Sequence, residues 1–131
     1  MGDSPDISVV DFICVATNDL ERSVKFYGET LGLRNSVHMP ERGYAEFETD
    51  NVTISVMNFE TVGLEFHPNH NGFAMRVPDV AAARETLESR GVQFHGPIMD
   101  TGVCYISPFS DPDGNTLLLH HRYAPRIPEH D

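Results

Sequence analysis

The chain has 131 residues, 40% of them hydrophobic, which suits one domain with a substantial core and excludes a disordered composition. Its 9 Lys and Arg face 20 Asp and Glu, a net charge of −11 that argues against nucleic acid and anionic membrane surfaces as partners. No apolar run reaches the ~18 residues of a membrane helix, and residues 1–8 lack a basic and an apolar leader region.

Cys14 and Cys104 both sit inside apolar runs, so buried free thiols and a reducing, cytoplasmic setting are expected. Residues 9–17 (VVDFICVAT), rich in β-branched side chains, read as a strand. Alternation puts Phe12, Cys14 and Ala16 on one face and Ile13, Val15 and Thr17 on the other. Asn18 is expected to cap a helix, with Glu21 completing a capping box. Leu20, Val24, Tyr27 and Leu31 recur at helical spacing as its buried stripe, and Gly32 ends it. Residues 34–42 hold a short edge strand broken at Pro40. Residues 43–49 alternate, with Ala45 and Phe47 opposite Tyr44, Glu46 and Glu48. After the turn Asp50-Asn51 the chain returns over residues 52–58. There Val52, Ile54 and Val56 share one face, and Thr53, Ser55 and Met57 the other. Residues 59–71 form a polar linker carrying His67 and His70.

The second half opens with a strand at residues 73–77, which places Arg76 on one face with Gly72 and Ala74. Asp79 caps a helix with the stripe Val80, Ala83 and Leu87, and Gly91 ends it. A short strand is expected at residues 92–95, bounded by Gly96 and Pro97. Strands at 102–108 and 115–120 then flank the turn Asp111-Pro112-Asp113-Gly114. Pro112 presets φ at its second position and Gly114 takes the left-handed one. Residues 122–131 are a tail. The halves repeat at a spacing of about 60 residues, Asp19 falling on Asp79 and Leu20 on Val80. One domain is therefore expected, with module one at 9–58, a linker at 59–71 and module two at 72–121.

A βαβββ duplication, a first helix reading DLERSVKFYGETLGL and a final DPDGN before an apolar strand resemble the vicinal oxygen chelate superfamily. That group includes glyoxalase I, bleomycin-resistance proteins and extradiol dioxygenases. The resemblance covers residues 9–121. It implies an α+β fold of two tandem βαβββ modules, with cup-shaped mixed sheets and helices on the outer face. It also implies a small molecule inside the cup and a homodimer, because short members usually pair.

In metal-dependent members, His, Glu or Gln from the first and last strand of each module hold one divalent ion. The resemblance places those positions at Phe12, Ser55, Gly72 and Leu118, where the side chains do not suit an ion. A metal-free cup is expected, with a divalent metal as the alternative. His70 and His120 would lie more than about 10 Å apart at ~3.3 Å per residue. His67 and His70 alone are too few. DPDGN is no calcium loop, because Thr116 and Arg122 stand where Gly and Glu are needed. No nucleophile elbow, phosphate loop or dinucleotide fingerprint is present.

The expected ligand-binding residues are Phe12, Cys14, Ser55, Met57, Arg76, Leu118 and His120, with no catalytic residue assigned. Together with Ala74 they make an apolar wall with few polar groups, the usual composition of a ligand pocket. The function expected is small-molecule binding, such as drug or toxin sequestration. The alternative is a lyase- or dioxygenase-type enzyme with an altered metal site, or with metal-free acid–base chemistry by His120, Glu46 or Arg76.

Overall fold

The structure, a computed structural model, describes residues 4–126, so the start of the N-terminal arm and residues 127–131 of the tail lie outside it. The chain divides after Phe66 into two compact units, each with the βαβββ order.

Module one contains β1 (Phe12–Ala16), α1 (Leu20–Lys25), β2 (Arg34–Met39), β3 (Tyr44–Glu48) and β4 (Thr53–Met57). They form a four-stranded sheet in the order β1-β4-β3-β2. β1 runs parallel to β4, and the other pairs are antiparallel. A parallel pair cannot be closed by a tight turn. The chain therefore leaves β1 through α1, lays down β2 and β3, and returns as β4.

β1 starts at Phe12 and not at Val9. Phe12 is opposite Thr53, the first residue of β4, so Val9 and Val10 have no partner strand and stay exposed. The cap of α1 is Asp19, not Asn18. The Asp19 carboxylate accepts the Arg22 N–H at 3.2 Å, while Asn18 accepts from the Arg22 guanidinium at 3.0 Å. Glu21 closes no capping box; it meets Nε2 of His38 at 2.9 Å. The helix also widens after Lys25 into a π turn, Phe26–Thr30, with the Leu31 N–H donating to Phe26 O. Phe26 and Tyr27, adjacent in sequence, are thereby both buried. Ser23 replaces Val24 in the stripe, fully buried and donating to Thr17 Oγ1 at 2.8 Å. Tyr27 stacks on Phe47 over Ala45, Ile54 and Val56, and this is the core of module one.

Module two contains β5 (Phe73–Arg76), α2 (Val80–Ser89), β6 (Met99–Asp100), β7 (Cys104–Ser110) and β8 (Thr116–Arg122). Its sheet order is β5-β8-β7-β6, with β5 parallel to β8. Asp79 caps α2 through the Ala82 N–H at 3.0 Å. The strand expected at 92–95 is absent. Phe94 makes one bridge to Phe109, Gly96 turns the chain at positive φ, and the edge strand forms later at Met99. Phe94 instead sits between Phe109 and the Arg84 guanidinium, 4.8 Å from its ring centre. Phe109, Leu117, Leu119, Val80 and Leu87 fill the core between sheet and helix.

The DPDGN turn is a structural clamp. Asp111 Oδ1 accepts the N–H groups of Asp113 and Asn115, at 3.0 and 2.9 Å. Asn115 donates its amide to Asp111 Oδ2 at 2.9 Å and accepts the Asn69 N–H at 2.7 Å. Asn69 O in turn accepts the Thr116 N–H. The end of the linker is thus tied to the start of β8, which sets β5 beside β8. Asn115 is fully buried, so Asn115→Ala strands the Asn69 N–H and removes the amide bond to Asp111. The expected loss is about 2–4 kcal/mol, read by urea denaturation. A loss below about 1 kcal/mol would contradict the clamp.

Candidate functional site

Each sheet has one face under its helix. α1 packs on β3 and β4, and α2 on β7 and β8. The side chains of alternate parity form the other face, which nothing from the same module covers with a helix.

On sheet one, register sets three rows across this open face. Phe12 is opposite Thr53, Thr53 opposite Glu48, and Glu48 opposite Arg34. Cys14, Ser55, Glu46 and Val37 form the next row, and Ala16, Met57, Tyr44 and Met39 the third. Phe12 and Cys14 are exposed, Met57 is half-buried, and Ser55 is only 2% exposed between larger neighbours. The expectation that Cys14 is buried is therefore wrong. It lies on the uncovered face of an outer strand, whereas Cys104 is buried as expected and its thiol meets Thr101 Oγ1 at 3.0 Å.

β2 carries a bulge at Ser36, which aims the hydroxyl at the Glu48 carboxylate. Thr53 donates to the same carboxylate at 2.6 Å. The hydrogen bonds from Ser36 and then Thr53 hold Glu48 below its ordinary carboxylate range. Glu48 is thus engaged, while Glu46 makes no side-chain hydrogen bond or ion pair among the described residues. Glu46, Val37 and Met39 belong to this face but not to the expected contact set. The alternation of β2 that would have revealed Val37 and Met39 is broken in the sequence by the bulged Ser36.

On sheet two the open face carries Ala74 opposite Leu118 opposite Pro108. The next row is Arg76, His120, Ile106 and Met99. Arg76 is exposed; Leu118 and His120 are half-buried. His121 has the opposite parity: its Nδ1 lies 3.1 Å from Val77 O, on the helix side of the sheet. There it lines a shallow pocket of about 290 Å³ with Ile98, Tyr105 and the first turn of α2. No expected contact residue lines that pocket. Of the seven, Phe12, Cys14, Ser55 and Met57 share the open face of sheet one, and Arg76, Leu118 and His120 share that of sheet two.

The metal positions implied by the resemblance do not fit an ion. Phe12, Gly72 and Leu118 carry no donor atom, and the Ser55 hydroxyl is a weak neutral one. Gly72 is more than a missing ligand. A Cβ there would meet the Thr116 carbonyl oxygen at 2.8 Å and Thr116 Cγ2 at 2.9 Å. The close approach of β5 to β8 therefore leaves no room for a side chain. No three His, Cys, Asp or Glu side chains gather as a metal site among the described residues.

Comparison with known proteins agrees with this fold. The profile of the Glyoxalase/Bleomycin resistance protein/Dioxygenase superfamily matches residues 9–119. A glyoxalase/bleomycin resistance protein/dioxygenase from Nocardioides has 26% identity and a TM-score of 0.75, covering 97% of this chain and 91% of its own. TnmS3, an antibiotic binding protein from Streptomyces sp. CB03234, has 26% identity and a TM-score of 0.76, covering 91% of this chain and 99% of its own. A superfamily member from Sphaerobacter thermophilus has 25% identity and a TM-score of 0.74, covering 87% and 97%. No curated protein matches the chain.

The contact at Gly72 yields a direct expectation. Gly72→Ala should lower stability by about 1–3 kcal/mol, the usual cost of overpacking, because the obstacle is backbone that cannot rotate away. Denaturation that leaves the midpoint unchanged would show that β5 can move off β8.

Proposed function

The chain belongs to the glyoxalase/bleomycin resistance protein/dioxygenase superfamily, and we propose that it binds a small organic molecule on its open sheet faces without the divalent ion of metal-dependent members. The observation that carries this reading is the set Phe12, Ser55, Gly72 and Leu118, which offers one weak neutral hydroxyl and, at Gly72, no room for a side chain. With no ion to polarise a bound carbonyl or oxygen, the faces offer binding surface: Phe12, Met57 and Leu118 as apolar floor, Arg76 and His120 as polar contacts. The similarity to TnmS3, an antibiotic binding protein, supports a sequestering role for a drug or toxin.

Metal-free catalysis is the second reading, and one observation favours it. Glu46 is a carboxylate without a side-chain partner among the described residues, two strands from the exposed Cys14 in one row. Such a row has a base and a nucleophile type. The two readings separate by recovering the ligand after incubation: mass spectrometry shows it intact for a sequestering protein and altered for an enzyme.

His120 is the residue that tests the binding surface. Its strand neighbours Leu117 and Leu119 face the helix and are buried, so the fold does not depend on the imidazole. His120→Ala should weaken a ligand found by thermal-shift screening by about 1–3 kcal/mol, the cost of leaving a desolvated polar group unpaired. Calorimetric titration showing equal affinity at an unchanged melting temperature would remove His120 from the site.

A further inference from the structure

From the charge distribution of module two we infer that its open face recognises a carboxylate on an otherwise apolar ligand, with Arg76 as the anchor and His120 as the second donor. The inference rests on the binding role proposed above and specifies the chemistry of that ligand.

The chain is strongly acidic, with a net charge of −11, yet its charge is not evenly spread. The open face of sheet two carries Arg76, His120 and Arg122, and no Asp or Glu occupies a position on its rows. Arg76 and His120 are partners across the parallel strands β5 and β8, so their backbones run about 4.8 Å apart and their side chains rise side by side. Neither makes a side-chain hydrogen bond or ion pair among the described residues.

Four carboxylates of this module are committed elsewhere. Asp79 caps α2. Asp100 is opposite Tyr105, hence on the other parity, and accepts from the Tyr123 hydroxyl at 2.6 Å and the Gly102 N–H at 2.9 Å. Those two bonds, Tyr123 first, hold its carboxyl below the ordinary range. Asp111 is buried in the turn clamp with Asn115. Glu88 lies on α2 against Arg84. A cationic pair in an acidic protein, on a face whose rows carry no carboxylate, is complementary to an anion supplied from outside.

The surroundings select the kind of anion. Leu118, Ile106 and Met99 lie in the same and the adjacent row, an apolar bed next to the guanidinium. That suits a flat or aliphatic body with one planar, singly charged group, which an Arg fork meets with two parallel hydrogen bonds. A phosphate dianion is held best by several free backbone N–H groups or a helix N-terminus. Here the strand amides are spent on the ladder, the Val77 N–H for instance on His120 O at 2.9 Å.

The test titrates the full chain with 2-naphthoate, 2-naphthamide and 2-naphthyl phosphate, followed by NMR shifts and calorimetry. The wild type should prefer the acid over the amide by about tenfold, the order of one charge-assisted pair. Arg76→Gln should abolish that preference while the amide still binds. Arg76→Lys should keep part of it, because charge survives and the fork does not. His120→Gln should reduce it, and Lys25→Gln, on α1, should not.

Three outcomes overturn the inference: equal binding of acid and amide by the wild type, a preference that survives Arg76→Gln, or tighter binding of the phosphate than of the carboxylate. In the first, the amide still binds, so small-molecule binding stands and only the anionic specificity falls. Failure of all three probes overturns the inference too, and the thermal-shift screen of neutral and cationic compounds then decides the broader reading separately.

Discussion

The parallel pairing of the first and last strand in each module is the constraint on which the rest depends. A parallel pair demands a crossover, and here the crossover begins with a helix packed on one sheet face. One face of each sheet is therefore covered and the other is not. From then on, alternation decides every side chain's role. Ile54, Val56 and Phe47 become core while Ser55, Glu46 and Met57 face outward from it. In module two Leu117 and Leu119 are core, while Leu118 and His120 are not. Slipping β8 by one residue would exchange the two sets entirely.

The register is held by polar details as well as by the apolar stripe. The Asp111–Asn115 clamp fixes where β8 starts relative to the linker. The missing Cβ of Gly72 lets β5 lie against Thr116. The same glycine bears on chemistry. At the position where the resemblance implies a ligand in metal-dependent members, this chain has strand packing that leaves no room for a side chain. What remains on the open faces is a mixture of apolar surface with few charges. Arg34, Glu46 and Glu48 lie on sheet one, and Arg76, His120 and Arg122 on sheet two.

The succession of strands and helices along the chain apart from residues 92–95, the parity of the strands and the Gly32 and Gly114 turns were legible in the sequence, because alternation and capping residues act locally. The departures have physical causes outside the local pattern. Asn18 and Asp19 are both good caps, and Thr17 decides between them: its hydroxyl accepts the Asp19 N–H and donates to Asp19 O, fixing Asp19 in the cap conformation. At 92–95 only Phe94 bridges to a strand, and its half-buried ring lies between Arg84 and Phe109. Cys14 looked buried because its neighbours are apolar, but β1 is an outer strand and its uncovered face has no helix. Of the candidate site, the faces were readable and the pairings were not. That Arg76 sits opposite His120, and Glu46 opposite Ser55, depends on register across distant segments.

The central claim is that these faces bind an organic molecule without the superfamily's ion. The most direct measurement is elemental analysis of the protein after growth with added zinc, nickel, manganese and iron, combined with titration of a screened ligand before and after mild chelation. The account predicts no stoichiometric metal and one affinity throughout. An ion bound to every chain that survives chelation, or an affinity that falls when metal is removed, would contradict it.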